Sequence, residues 1–104
     1  MTMRIRPGVE VDDEALAQFC QRHHVTRLAL YGSSLRSDFT ASSDIDVLVE
    51  FEPGHVPGLL RLAEMEIELG RLLGGREVEL RTYEDLSRLF RDEVRASARP
   101  LYAA

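Results

Sequence analysis

Apolar residues recur along the chain in two rhythms, and each predicts a different kind of element. From Val11 to His24, Leu16, Phe19, Cys20 and His23 fall at helical spacing. Asp12 suits the cap of that helix, and Asp13 and Glu14 suit its first turn, where the helix dipole favours acids. A second helix is predicted over Pro57 to Leu73, where Leu59, Leu62, Met65, Leu69, Leu72 and Leu73 give a mainly apolar face. Pro57 fits its start and Gly74-Gly75 its end. Between the two helices, Arg27 to Tyr31 (RLALY) and Asp44 to Phe51 (DIDVLVEF) are short apolar runs bounded by Gly32 and by Pro53-Gly54, as strands are. Arg76 to Arg81 (REVELR) alternates strictly, the rhythm of a strand with one buried face. Thr82 to Asp85 has the form of a capping box, and predicts a last helix carrying Leu86, Leu89, Phe90 and Val94 that ends before Pro100. The predicted order is α-β-β-α-β-α, an α/β (α+β) arrangement in which helices pack on a short sheet.

Composition narrows the setting. A length of 104 residues suits one domain, 1–104, with a core of its own. The 44% hydrophobic and 30% charged content are those of a folded chain and not of a disordered tail. No run is long enough to cross a membrane, and residues 1–8 lack the apolar centre of a secretory signal. Cys20 is the single cysteine, so no internal disulfide forms, which fits a reducing, cytoplasmic location. The net charge of −5 disfavours non-specific binding to nucleic acid, which is held by surplus positive charge.

The chemistry is concentrated between Leu30 and Phe51. Alternation along a strand puts Asp44 and Asp46 on one face and Ile45, Val47 and Val49 on the other. Two residues of rise separate the carboxylates by about 6–7 Å. Their repulsion at an effective dielectric of ~20 is roughly 2–3 kcal/mol. A divalent cation relieves that repulsion, and Mg²⁺ characteristically takes one or two carboxylates together with water and phosphate oxygens. A solvated strand face is the plainer alternative. Gly32-Ser33, directly after a strand, can bring backbone amides and a hydroxyl up to a phosphate. A phosphate cradle and an acid pair on neighbouring strands form the apparatus of phosphoryl or nucleotidyl transfer. If the REVELR strand pairs beside the acidic one, Glu79 reaches the same region and can help remove a proton from an attacking hydroxyl. Glu77 on the same face is more simply a solvated side chain. Cys20 reads as core. The adjacent His23 and His24 lack the spacing of a helical metal site, and His55 sits in the Pro53–Pro57 loop.

Gly32-Ser33, ten residues, then Asp44-Ile45-Asp46 resembles the GS-x10-DxD signature of minimal nucleotidyltransferases, in the DNA polymerase beta-like superfamily. The likeness extends to Leu30-Tyr31, to Arg36, Asp38 and Ser43 around the gap, to Val47–Phe51, and to Pro100-Leu101-Tyr102 near the end. It implies a small mixed β-sheet flanked by helices. It further implies that Gly32, Ser33, Arg36 and Ser43 bind the triphosphate of ATP, and that Asp44, Asp46 and Glu79 are catalytic and hold two Mg²⁺ ions. Small members of the family resemble antitoxins paired with a HEPN-type RNase toxin in a hetero-oligomer, transferring AMP to a toxin tyrosine. Two alternatives are neutralisation by binding alone and, ranked lower, transfer to a small molecule. The chain departs from the pattern at Glu79, where Asp is usual, and at Ser37, where Gly is frequent.

Overall fold

A computed structural model describes residues 1–6, 8–37 and 43–104, with the side chain of Ser33 outside the described set. Asp38, named above within the motif gap, also lies outside it. The chain opens with a hairpin of β1 (Thr2–Arg6) and β2 (Val9–Asp12), followed by α1 (Asp13–Arg22), β3 (Val25–Leu30) and a 3₁₀ turn over Gly32–Leu35. β4 (Ile45–Phe51), α2 (Leu59–Leu72) and β5 (Val78–Thr82) follow, then a 3₁₀ turn over Tyr83–Asp85, α3 (Arg91–Ser97) and β6 (Arg99–Ala103).

The four longer-range strands form one mixed sheet in the order β5-β4-β3-β6. β3 runs antiparallel to β4 and β6, whereas β4 and β5 are parallel. The parallel pair needs a crossover, and α2 supplies it. One face of β4, carrying Ile45, Val47 and Val49, is buried against Leu16, Phe19 and Cys20 of α1 and Met65 and Leu69 of α2. Burial pushes the Cys20 thiol up to about 12, so this side chain is core, as the sequence implies. The opposite face of β4 is left to carry Asp46, Leu48 and Glu50.

The sequence reading places the central elements and departs from the structure at four points. Val11 is not in the first helix: it buries its side chain from β2, and the helix starts at Asp13 with the Asp12 carboxylate accepting from the Glu14 amide at 3.3 Å. The hairpin was missed because each strand is only four or five residues long, yet Ile5, Val9 and Val11 all enter the core. The Thr82–Asp85 capping box exists, but it opens a three-residue 3₁₀ turn, and the α-helix forms only from Arg91. Leu89 and Phe90 are accordingly exposed. The closing Arg99–Ala103 is a strand on the sheet edge, where Pro100 removes no central ladder bond.

Candidate active site

Gly32 begins the turn that links β3 towards β4. Its φ of +60° is a left-handed value, and a Cβ built there would lie 3.3 Å from Asp46 Oδ2. A glycine is thus needed both for the turn and for the close approach of the backbone to a carboxylate. The turn is then tied to β4 by main-chain and hydroxyl bonds. The Tyr31 amide donates to the Asp46 carbonyl at 3.2 Å, and the Ser34 amide donates to the Tyr31 carbonyl at 3.2 Å. The Asp46 amide donates to the Ser34 hydroxyl at 2.6 Å, and Ser34 is fully buried. Ser34 thus places a buried hydroxyl in this turn, and the sequence reading did not single it out. Apolar periodicity carries no signal for a serine that turns inward, so Ser34 leaves no trace in it.

The third acid arrives from β5. Parallel pairing sets Ile45 opposite Val78 and Asp46 opposite Glu79. Adjacent strands lie about 5 Å apart, so the two carboxylate stems rise side by side. Asp44 precedes the strand and is exposed, while Asp46 and Glu79 are half-buried. The segments leading into the two strands are also joined. The Ile45 amide donates to the Glu77 carbonyl at 2.9 Å, and Arg76 Nη2 donates to the Ser43 carbonyl at 2.5 Å. Ser43 thus contributes its carbonyl to fixing the approach to Asp44. The backbone carbonyl of Arg36 accepts from Arg6 Nη2 at 2.7 Å, so the N-terminal hairpin braces the turn, and the Arg36 side chain is exposed.

Two neighbours modify the acidic face. The Arg81 guanidinium, two residues beyond Glu79 on the same strand face, forms an ion pair with its carboxylate. Burial, and then the negative charge of Asp46, hold the Tyr31 hydroxyl above its ordinary range, and Arg81 opposes them. Arg81 is in turn held protonated by its bond to Glu79. Strand alternation puts Arg81 on the face of Glu77 and Glu79, but spacing alone gives it no role.

The donor set suits Mg²⁺. Asp44 and Asp46 supply the one or two carboxylates this ion needs, and the missing Cβ at Gly32 leaves room beside Asp46 Oδ2 for phosphate or water oxygens. Among the described residues, no three potential ligands are drawn together, and the Glu79 carboxylate is paired with Arg81. A groove of about 550 Å³ lies beside the acids, with Asp44, Glu77 and Glu79 on one wall and Ala63, Ile67 and Gly70 of α2 on the other.

A nucleotidyltransferase domain model matches residues 13–102, which is most of the chain. The chain belongs to the nucleotidyltransferase domain family. This nucleotidyltransferase is 38% identical over 73 residues to MJ0435 of Methanocaldococcus jannaschii, to which protein adenylyltransferase activity is ascribed. That alignment covers 70% of this chain and 75% of the relative. It is 39% identical over 56 residues to the protein adenylyltransferase MntA of Thermococcus cleftensis, an alignment that spans only 54% of either protein. Among solved structures, one described as a minimal nucleotidyltransferase superposes with a TM-score of 0.67 at 36% identity, over 86% of this chain and 88% of that one. A toxin–antitoxin complex with AMP-PNP shares the fold, with a TM-score of 0.69 at 16% identity over 90% and 75% of the two chains. The mixed sheet with flanking helices is thus the family fold. No helix among the described residues is long and apolar enough to cross a membrane.

Proposed function

We propose that this nucleotidyltransferase transfers AMP from ATP to a hydroxyl of a partner protein, a tyrosine of a HEPN-type RNase toxin, and so acts as an antitoxin. The observation that carries this reading is the Gly32 turn packed on Asp46, with Glu79 in register beside it. The Gly32–Leu35 turn receives the triphosphate, through backbone groups that no side chain obstructs at Gly32. Asp44 and Asp46 hold Mg²⁺, which when bound neutralises the phosphate oxygens and orients the reacting groups. The acceptor oxygen attacks the α-phosphorus, its bond to phosphorus forms as the bond to pyrophosphate breaks, and the hydroxyl proton passes to a carboxylate of the cluster. The relatives support a polypeptide acceptor, since they are named for protein adenylylation.

The test incubates the protein with radiolabelled ATP, MgCl₂ and the product of the adjacent gene. Label should move to that protein and be lost with Asp44→Asn plus Asp46→Asn. Unchanged transfer by the double variant would refute the mechanism. A second reading, neutralisation by binding alone, is favoured by one observation: the Glu79 carboxylate is already paired with Arg81. Under that reading the double variant still protects cells from the toxin.

A further inference from the structure

α2 is apolar on two sides. Met65, Leu69 and Leu73 face the core, as the sequence pattern predicts. The same helix also bears the exposed Leu59, Leu60, Ala63 and Ile67 along a second stripe of about 100°, set by the 3.6-residue turn. Leu59 is 87% exposed, Leu60 79% and Ile67 58%. Such a contiguous apolar stripe on a soluble surface marks an interaction site.

The stripe does not end in open solvent. Ala63, Ile67 and Gly70 form one wall of the groove whose other wall carries Asp44 and Glu79. Anything seated on the stripe is therefore brought alongside the acids. The form of that occupant is also restricted. β5 is the outer strand of the sheet, but its Leu80 amide is taken by Glu66 at 2.7 Å and its Thr82 amide by Asp85 at 3.2 Å. An incoming strand finds these edge donors already used, which blocks strand addition. An amphipathic helix needs no such donors.

From these relations we infer that the α2 stripe is the docking surface for the acceptor protein, which lays an apolar helix face along Leu59–Ile67. The inference rests on the reading of this chain as a protein adenylyltransferase and names how that site takes its substrate. Leu59 to Ile67 spans about 12 Å, so the docked helix face covers about two turns, with the acceptor hydroxyl near the Ile67 end beside Asp44 and Glu79.

The test uses Leu59→Glu plus Leu60→Glu, two exposed positions far from the acids, and the product of the adjacent gene as ligand. The double variant should keep the wild-type melting temperature and its affinity for a fluorescent ATP analogue. Its affinity for the partner, by calorimetry, should fall about a hundredfold or more, the scale of lost hot-spot contacts. AMP transfer should show a raised KM for the partner and an unchanged kcat. Undiminished affinity of the double variant overturns the docking site while leaving transfer intact. Wild-type binding without transfer instead refutes the enzymatic reading, and the glutamate pair still decides the surface. Failure of the wild-type protein to bind the partner overturns the inference. So does sedimentation as a dimer that the double variant converts to monomer, because the stripe is then covered by a second copy.

Discussion

The Asp46 amide donates to the Ser34 hydroxyl at 2.6 Å, and this buried bond fixes where the acidic strand begins relative to the Gly32 turn. Ser34→Ala removes this acceptor from a part-buried amide. The expected cost is about 1–3 kcal/mol, the desolvation penalty of an unsatisfied polar group. For a chain of this length that lowers the melting temperature by roughly 4–8 °C per kcal/mol. Transfer should fall further than stability does, since Asp46 itself shifts. A melting curve and a transfer assay on the same sample separate the two effects, and wild-type values for both would show that the bond is dispensable.

Glu79 and Arg81 make a sharper pair of expectations. Glu79→Gln keeps the shape and removes the charge, so transfer should fall about a hundredfold or more, in kcat and kcat/KM alike. Glu79→Asp restores the acid usual in the family, one methylene shorter, and weakens the contact with Arg81. It should retain transfer within about tenfold of the parent. Equal losses in the two variants would mean that the carboxylate acts only through its ion pair with Arg81.

These residues also show which parts of the candidate site are legible in the sequence. Asp44, Asp46 and Glu79 were visible because strand alternation and the REVELR pattern fix which way each points, and β4 and β5 do lie side by side. Ser34 was not, because a buried serine leaves no periodic trace. Arg81 stood in plain view, but its partner is decided by side-chain reach and not by spacing. In the fold, β1, β2 and β6 were missed for a related reason. Each is short and gains its stability from tertiary contacts, as Ile5 does in the core and Tyr102 does opposite Leu28. The helix expected after Thr82 was overestimated because Leu86, Leu89 and Phe90 match a helical rhythm that no core face is present to reward.

Acid should weaken the fold through two carboxylates far from the site. Arg95 Nε and Nη2 donate to Glu50 at 3.0 and 2.9 Å and Arg27 Nη1 at 3.2 Å, tying α3 to β4 and β3. Glu68 joins α2 to Arg22 and His23 at the end of α1. The bond from Arg95 holds the Glu50 carboxyl below its ordinary value against the opposing effect of burial, and the bond from Arg22 does the same for Glu68. A carboxyl depressed in the folded state contributes stability above its unfolded pKa, and that contribution is lost as pH falls through the folded value. The urea midpoint should be flat between about pH 6 and 8 and fall below about pH 5. Solvent screening limits each tie to about 1 kcal/mol. Glu50→Gln should lower the plateau at neutral pH and flatten the acid limb. An acid limb as steep as the parent's would assign the loss to other groups.

Gly70 sits inside α2, where glycine is ordinarily a weakness. Alanine there would gain about 1 kcal/mol of helix propensity. Its Cβ, however, would lie 2.5 Å from the Arg76 carbonyl, a backbone atom that cannot rotate aside. Overpacking of this kind costs about 1–3 kcal/mol, so Gly70→Ala should be destabilising on balance. The displacement is directed at the site. Moving Arg76 disturbs its bond to the Ser43 carbonyl, and with it the approach to Asp44. Gly70→Ala should therefore lose both melting temperature and transfer. Gly58→Ala, at the start of the same helix, meets nothing within 4 Å and should cost less than about 1 kcal/mol with transfer retained. A Gly70→Ala protein as stable and active as the parent would mean that α2 does not press on the Arg76 turn.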